Sequence, residues 1–437
     1  MFQYIKLIIL IFISSALAII ILTLLSKKDK LFVGERFSNL TSSLSNFTFA
    51  EKPPLTIYFP SGRKLDHVKT TENNVDHCVL YNFLRHERKS LSKTQNGSSY
   101  EPISLALHST VDYASGVVEQ ANSWQDLISY SIYLFPGNEA VLPLVKKLHQ
   151  CHNETREKVS IHLVWQSGFL QYSCYNEALM RIINEVDDDK VNCNDFDLSI
   201  MTVEMKAVDI PLSMYPINLM RNEARKGAHS KLHLVTDIET RFSDDFAEKV
   251  RPLAQRLLRG EFGKSVLVYR RFEIEDKVEF PRTIKDLWDL YNNKHVFEFH
   301  SHFYKQGHII KNLTEWFQYS ATHDEVTVEK VNYTRQEWEP QFIMTNKDPF
   351  HLEFVPTRFN DHQTLCHQLC RSGYSFLVMS HVFNIHPGIK RGYSPVEEAL
   401  SKLGRRRSAG FLRQFNNFLD EHYPKTNETG KCPKMTH

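Results

Sequence analysis

From Ser104 onward short apolar runs alternate with longer stretches of helical spacing, and this alternation restricts the fold more than any other feature of the chain. "SLALH" at 104–108 is followed by a helical region across 124–150 and then by "VSIHLVW" at 159–165. Strand, helix, strand in that order predicts a right-handed βαβ unit, and so an α/β domain on a mostly parallel sheet. Further strands are expected at "LHLVTD", "SVLVYRRFEI" and "YSFLVM", and no internal repeat is present. With 437 residues, 42% of them hydrophobic, the chain has apolar mass for one large core or two ordinary ones. The formal charges nearly cancel, at +2, so nothing in the overall charge asks for nucleic acid as a partner.

The N-terminus carries a second signal. Residues 7–25 are apolar except for Ser14, Ser15 and Thr23. As a helix this run rises about 28 Å, enough to cross a bilayer core. The expectation is a transmembrane signal anchor behind a short cytosolic tail, residues 1–6. A cleaved signal peptide is the competing reading, but the run is longer than the usual apolar region and no small-x-small site follows it. Lys6 on one side against Lys27, Lys28 and Lys30 on the other weakly favours the opposite orientation. Seven Asn-x-Ser/Thr sites, at Asn39, Asn46, Asn96, Asn153, Asn312, Asn332 and Asn427, argue instead for a lumenal C-terminal part.

Seven cysteines fit an oxidising lumen, some paired and the odd one free or linking chains. His362, Cys366 and Cys370 share a helical face and could be zinc ligands, but with no fourth ligand at a recognised spacing they read better as buried helix residues. Residues 26–100, rich in Ser, Asn, Lys and Thr, read as a stem with a small ordered part near "LTIYFP". Residues 101–425 form the expected lumenal domain, and 426–437 a C-terminal tail. Arg405, Arg406 and Arg407 read as a solvated helix face, and Phe411, Phe415 and Phe418 as a helix packed onto the domain.

The chemistry concentrates in the middle of the chain. In "MYPINLMRNEARKGAHS", Ile217, Met220 and Ala224 fall on one helical face and Asn218, Arg221, Asn222 and Arg225 on the other, with Gly227 as a helix stop. Taken alone this is an amphipathic surface helix with a solvated basic stripe. It is followed, however, by "LHLV", a strand of the kind buried on both faces, which delivers Asp237 and Glu239 to its C-terminal end. In open α/β sheets that edge is where ligands bind. Two acids one residue apart can share a divalent cation, and such a cation can bridge the oxygens of a diphosphate.

Several segments together resemble glycosyltransferase family 49: "YPINLMRNEARKGA", "LVTDIE", "GHIIKNLTEW" at 307–316, "WEPQFI" at 338–343, "GYSFLVM" at 373–379 and "FNIHPG" at 383–388. The resemblance spans roughly residues 103–391. It implies a GT-A-like fold, with a Rossmann-like nucleotide half and an acceptor half, and inverting transfer from a UDP-sugar to a glycan or glycoprotein acceptor. The sugar it implies is glucuronic acid or N-acetylglucosamine. By the same resemblance Asp237, Glu239 and His386 would hold Mn2+, and Arg221, Asn222 and Arg225 would lie near the nucleotide. His308 and Asn312 would sit near donor or acceptor. Inversion needs a base for the acceptor hydroxyl, and Glu339 in "WEP" is the candidate, with a structural salt-bridge role as the alternative. The family and the anchor together imply a single-pass type II Golgi membrane protein; the sequence leaves open a homodimer or a partner transferase.

Departures from the family pattern open a rival reading, a silent relative that binds glycans or a partner transferase. Glu239 replaces an Asp, and Thr240-Arg241-Phe242 replaces a Met-x-Pro pattern. His351 stands for Asp and Asp361 for Lys. An extracellular receptor is a third reading, disfavoured by the very short cytosolic tail.

Overall fold

Four strands of like direction define one edge of the domain, and everything chemical gathers there. The computed structural model describes residues 57–58, 64–69, 76–88, 99–167, 174, 177–188, 190–211, 214–407 and 410–435. The apolar run at 7–25 and the sites at Asn39, Asn46 and Asn96 lie outside them. Among the described residues no helix is long and apolar enough to cross a membrane.

The described strands are β1 (Ile57–Tyr58), β2 (Lys64–Lys69), β3 (Asp76–Leu84), β4 (Ile103–Thr110), β5 (Ile128–Leu134), β6 (Val159–Gln166), β7 (Leu232–Asp237), β8 (Arg241–Phe242), β9 (Ser265–Ile274), β10 (Val296–Glu298), β11 (Val328–Val331), β12 (Gln341–Thr345) and β13 (Ser375–Pro387). They form one sheet in the order β1-β2-β3-β6-β5-β4-β7-β12-β9-β13-β11, with β10 attached to β9 and β8 to β13. β4, β5, β6 and β7 run parallel, as do β9 and β13. β12 is antiparallel to both its neighbours, and β3 is antiparallel to β6. The sheet is therefore mixed rather than mostly parallel, because antiparallel strands fill the centre and both flanks.

Two expectations about elements need correcting. The stretch 124–150 is not one helical region: Ile128, Tyr130, Ile132 and Leu134 alternate with Ser and Tyr along β5, and the helix begins only at Leu142–Cys151. The expected stem also carries structure, since β3 pairs with β6 and extends the sheet before residue 101.

The chain lays down β4, β5 and β6 outward, then returns to place β7 on the other side of β4. The strand order thus reverses between β4 and β7, the position where open α/β sheets leave a crevice. His108 and Asp237 are register partners there. The C-terminal ends of β4, β7, β9 and β13 all emerge on this edge.

Both sheet faces are covered. Phe246, Val250 and Leu253 of the Phe246–Leu258 helix pack with Leu105, Ile132, Leu163, Leu234 and Ile343. On the opposite face Leu219 and Met220 of the Ile217–Lys226 helix pack with Tyr133 and Val164. Leu365, Cys366 and Leu369 pack with Phe342 and Met344. Side chains alternating to the two faces of buried strands account for this division. Phe411 and Phe415 pack into a smaller cluster with Val355, as the C-terminal helix spacing predicts.

Three disulfides, Cys78–Cys174, Cys151–Cys193 and Cys370–Cys432, leave Cys366 buried and free. Cys370 is thereby committed and cannot join a zinc site with His362 and Cys366.

Candidate active site

Asp237 ends β7, and the chain turns at once: the Thr240 amide and hydroxyl both donate to the Asp237 carbonyl, at 3.3 and 2.9 Å. Gln120 donates from below to the Ile238 carbonyl at 2.8 Å. Ile238 is buried, so Asp237 and Glu239 both stay partly open to the cavity. Arg241 and Phe242, in place of the family's pattern, form β8 and pair with Ile385 and Asn384 of β13. That pairing carries the acidic turn to His386, whose Nε2 stands 3.9 Å from Glu239 Oε2.

These three residues line a cavity of about 540 Å3, together with His108, Tyr113 and Arg358. Its electrostatics separate the two acids. Burial opposes ionisation of Asp237, but the guanidinium of Arg271, 3.3 Å away, holds its carboxyl well below the usual range, with smaller help from His108, Arg221 and His386. Glu239 goes the other way: burial and the Asp237 charge push it up to about 7. Among the described residues no group of three or more His, Cys, Asp or Glu is gathered closely enough to form a metal site. The donor types nevertheless suit a hard divalent ion, and a cation between the two carboxylates would offset both the burial and the Asp237 charge that raise Glu239.

Arg271 had no place in the sequence expectations. It lies within "SVLVYRRFEI", where two adjacent arginines interrupt an otherwise apolar strand, and that interruption was the available signal. Its guanidinium also covers the Phe299 ring at 4.1 Å.

A second cavity, about 920 Å3, adjoins the first, and His300, Arg358, Lys390 and Glu397 line both. Glu339 belongs to this second cavity. Its amide donates to the Gly307 carbonyl at 2.8 Å, and its carboxylate receives Gln363 Nε2 at 3.4 Å and faces His308 Nε2 at 3.8 Å. A Cβ at position 307 would overlap the Tyr304 ring and lie 3.4 Å from Glu339 Oε1, so glycine there makes room for both. Burial, reinforced by the charge of Asp361, pushes the Glu339 carboxyl up to about 8, against the pull of Arg221 and Arg271. His308 is buried against Phe299 and His300, and burial holds it well below its ordinary value.

The polar face of the Ile217–Lys226 helix is buried rather than solvated, which overturns the surface-helix reading. Asn222 donates to the His351 carbonyl at 2.9 Å and receives the His351 amide at 2.9 Å. Arg225 donates to the carbonyls of Pro349, Asp348 and Thr345 at 2.7, 3.1 and 3.2 Å. Arg221 pairs with Asp361 at 2.9 Å. The stripe grips the 345–361 segment, and none of Arg221, Asn222 or Arg225 lines either cavity. Gly227 matters for closeness as well as for ending the helix, since a Cβ would overlap the His162 ring. Asn312 is exposed, precedes the Leu313–Thr322 helix without a side-chain cap bond, donates instead to Glu329 at 3.3 Å and lines neither cavity.

The altered positions are accommodated. His351 Nε2 meets His362 Nδ1 at 3.1 Å, and His362 Nε2 meets the Pro340 carbonyl at 2.9 Å. Asp361 has Arg221 as its counter-charge.

Residues 102–424 match the model of a family described as glycosyl-transferase for dystroglycan. Beta-1,4-glucuronyltransferase 1 of Homo sapiens is 25% identical over 338 residues, covering 74% of this chain and 76% of that protein. The protein of the same name from Danio rerio is 24% identical over 428 residues, covering 93% and 94%. Among solved structures, S. aureus TarS 1–349 in complex with UDP aligns at 12% identity and a TM-score of 0.31, over 75% of this chain and 74% of that one.

Proposed function

Since the chain belongs to the family described as glycosyl-transferase for dystroglycan, we propose that it moves a sugar from a UDP-sugar to a glycan hydroxyl, inverting the anomeric centre. One observation carries this reading: a cavity with Asp237, Glu239 and His386 meets, along a common wall, a cavity with the raised carboxyl of Glu339. A donor seated at the strand ends would present its anomeric carbon to an acceptor in the larger space.

Glu339 acts as the base. The acceptor oxygen bonds to the anomeric carbon as the bond to the diphosphate breaks, the hydroxyl proton passes to Glu339, and UDP departs with the bonding electrons. A carboxyl raised towards neutrality holds the proton better than an ordinary one, which favours this transfer. Gln363 and the Gly307 carbonyl fix its position. Arg271 holds Asp237 ionised and in place. Asp237, Glu239 and His386 would hold a divalent cation, manganese by the family resemblance, which when bound would neutralise charge on the diphosphate.

The name of the relatives favours glucuronic acid over N-acetylglucosamine as the sugar. The apolar run at 7–25, the sequons and the three disulfides support a single-pass type II protein facing the secretory lumen, and the family adds the Golgi membrane as its place. One observation favours the rival, a binding-only relative: Asp237 already has a counter-charge in Arg271 and so has less need of a metal ion. Incubation with UDP-glucuronate or UDP-N-acetylglucosamine and a panel of glycans, with mass detection of product, tests the proposal. Transfer that disappears in Glu339→Gln supports it; UDP binding with no transfer across the panel supports the rival.

A further inference from the structure

Four residues line both cavities, and two of them, His300 and Arg358, hold left-handed backbones, with φ of 53° and 65°. Neither is a glycine, and a side chain persists in that region only where the surroundings enforce it. Around Arg358 they do. Its amide donates to Asp361 Oδ2 at 3.1 Å, and Asp361 is anchored by Arg221 at 2.9 Å. Thr357 Oγ1 donates to the Tyr215 carbonyl at 2.8 Å. Gly404 brings the Pro395–Arg407 helix against this loop, close enough that a Cβ would stand 3.1 Å from the Thr357 carbonyl.

The loop is thus fastened on both sides of Arg358, and the fastened part is backbone. The side chain is exposed and borders both cavities. Among the described residues no carboxylate stands within ion-pair distance of its guanidinium, whose charge acts on Glu239 and Asp361 from farther off. Lys390, the other cation on the common wall, is committed to Glu397 at 2.7 Å. A surface arginine serving solubility alone needs no left-handed backbone. A guanidinium carried on a fixed backbone where the two cavities meet is suited to a planar, two-oxygen anion.

Resting on the transferase reading above, we propose that Arg358 is a specificity-determining residue that binds the carboxylate of a uronic acid at the junction of the two cavities. The carboxylate belongs either to the transferred sugar or to the terminal sugar of the acceptor, and binding measurements separate these.

The test uses the full-length chain and its Arg358→Gly and Arg358→Lys variants. Glycine suits the left-handed backbone, so Arg358→Gly removes the guanidinium without straining the loop and should melt no lower than the native chain. UDP, UDP-glucose and UDP-glucuronate are titrated first. A glucose-terminated and a glucuronate-terminated disaccharide follow, each with and without UDP. The expected result is a loss of about 10- to 100-fold in affinity for one carboxylate probe in Arg358→Gly, partly recovered in Arg358→Lys. UDP and the neutral probes should change by no more than about twofold, well below that loss. Loss confined to UDP-glucuronate assigns the carboxylate to the donor, and loss confined to the disaccharide assigns it to the acceptor. An equal loss for UDP itself, or no loss for either carboxylate probe, overturns the proposal. A native chain that binds no UDP removes the transferase reading, while the disaccharide arm without UDP still decides whether Arg358 holds a carboxylate.

Discussion

Arg271 Nη2 on β9 lies 3.3 Å from Asp237 Oδ2 at the end of β7, across the intervening strand β12. The buried guanidinium, on a non-adjacent strand, is what holds the Asp237 carboxyl ionised against its burial. Removing the arginine leaves Asp237 beside Glu239 with its main counter-charge gone.

Arg271→Met should therefore weaken UDP binding and lower the thermal midpoint above about pH 4. Asp237 has a depressed folded-state pKa, so its contribution to stability is present above the ordinary carboxylate value of about 3.9 and fades as pH falls through the folded value. Melting curves of native and variant proteins should accordingly be furthest apart near neutrality and converge in acid. A constant gap from pH 3 to 7 would show that the pair is electrostatically idle.

Glu339 gives the opposite pH signature. With its carboxyl pushed up to about 8, the basic form grows as pH rises, so kcat/KM should climb through an acidic limb centred near that value. Glu339→Gln should lower kcat by about 10²- to 10⁴-fold, abolish that limb and leave UDP affinity intact. The raised pKa also costs the native chain stability as pH rises through about 8, so the glutamine variant should be the more stable of the two at alkaline pH. Equal stability of the two proteins at pH 9 would count against the burial argument.

Gly307→Ala probes the support of that base. The added methyl overlaps the Tyr304 ring and crowds Glu339, so the expected result is lower kcat with UDP affinity preserved. An alanine variant with native turnover would mean the Tyr304 and Glu339 positions are not coupled through the glycine.

Arg225 is predicted to matter for folding rather than for ligand. Arg225→Met strips three carbonyls of a donor and should cost about 3 kcal/mol or more in urea unfolding, since each unsatisfied buried group costs about 1–3 kcal/mol. UDP affinity of the folded fraction should stay native. A selective loss of UDP affinity would instead restore Arg225 to the nucleotide site.

The sequence revealed the parts of this architecture that lie close together in the chain. "LHLV" reads as a buried strand because its apolar run is local, and Asp237 and Glu239 follow at its end. β5 was missed because tyrosines and serines share the alternation of Ile128, Ile132 and Leu134 and dilute its apolar signal. The spacing of Ile217, Met220 and Ala224 marks the Ile217–Lys226 helix, but the burial of its polar face is not local, because the carbonyls it satisfies lie more than a hundred residues away, at 345–351. Arg271 was overlooked for the same reason: its significance depends on Asp237, which is 34 residues distant in sequence. The resemblance supplies His386, which spacing alone does not distinguish from a loop residue, while Glu339 follows from the need for a base and from its place between Trp338 and Pro340. The junction of two cavities at Arg358 is a property of the fold and has no counterpart in the linear sequence.

Calorimetric titration of UDP with and without Mn2+ decides whether the acidic turn after β7 is a metal-assisted UDP site. The native chain should bind UDP more tightly with Mn2+ present, and Asp237→Ala should lose that enhancement. UDP binding that is identical with and without the metal, and unchanged in Asp237→Ala, would contradict the account and leave Asp237 as the partner of Arg271 alone.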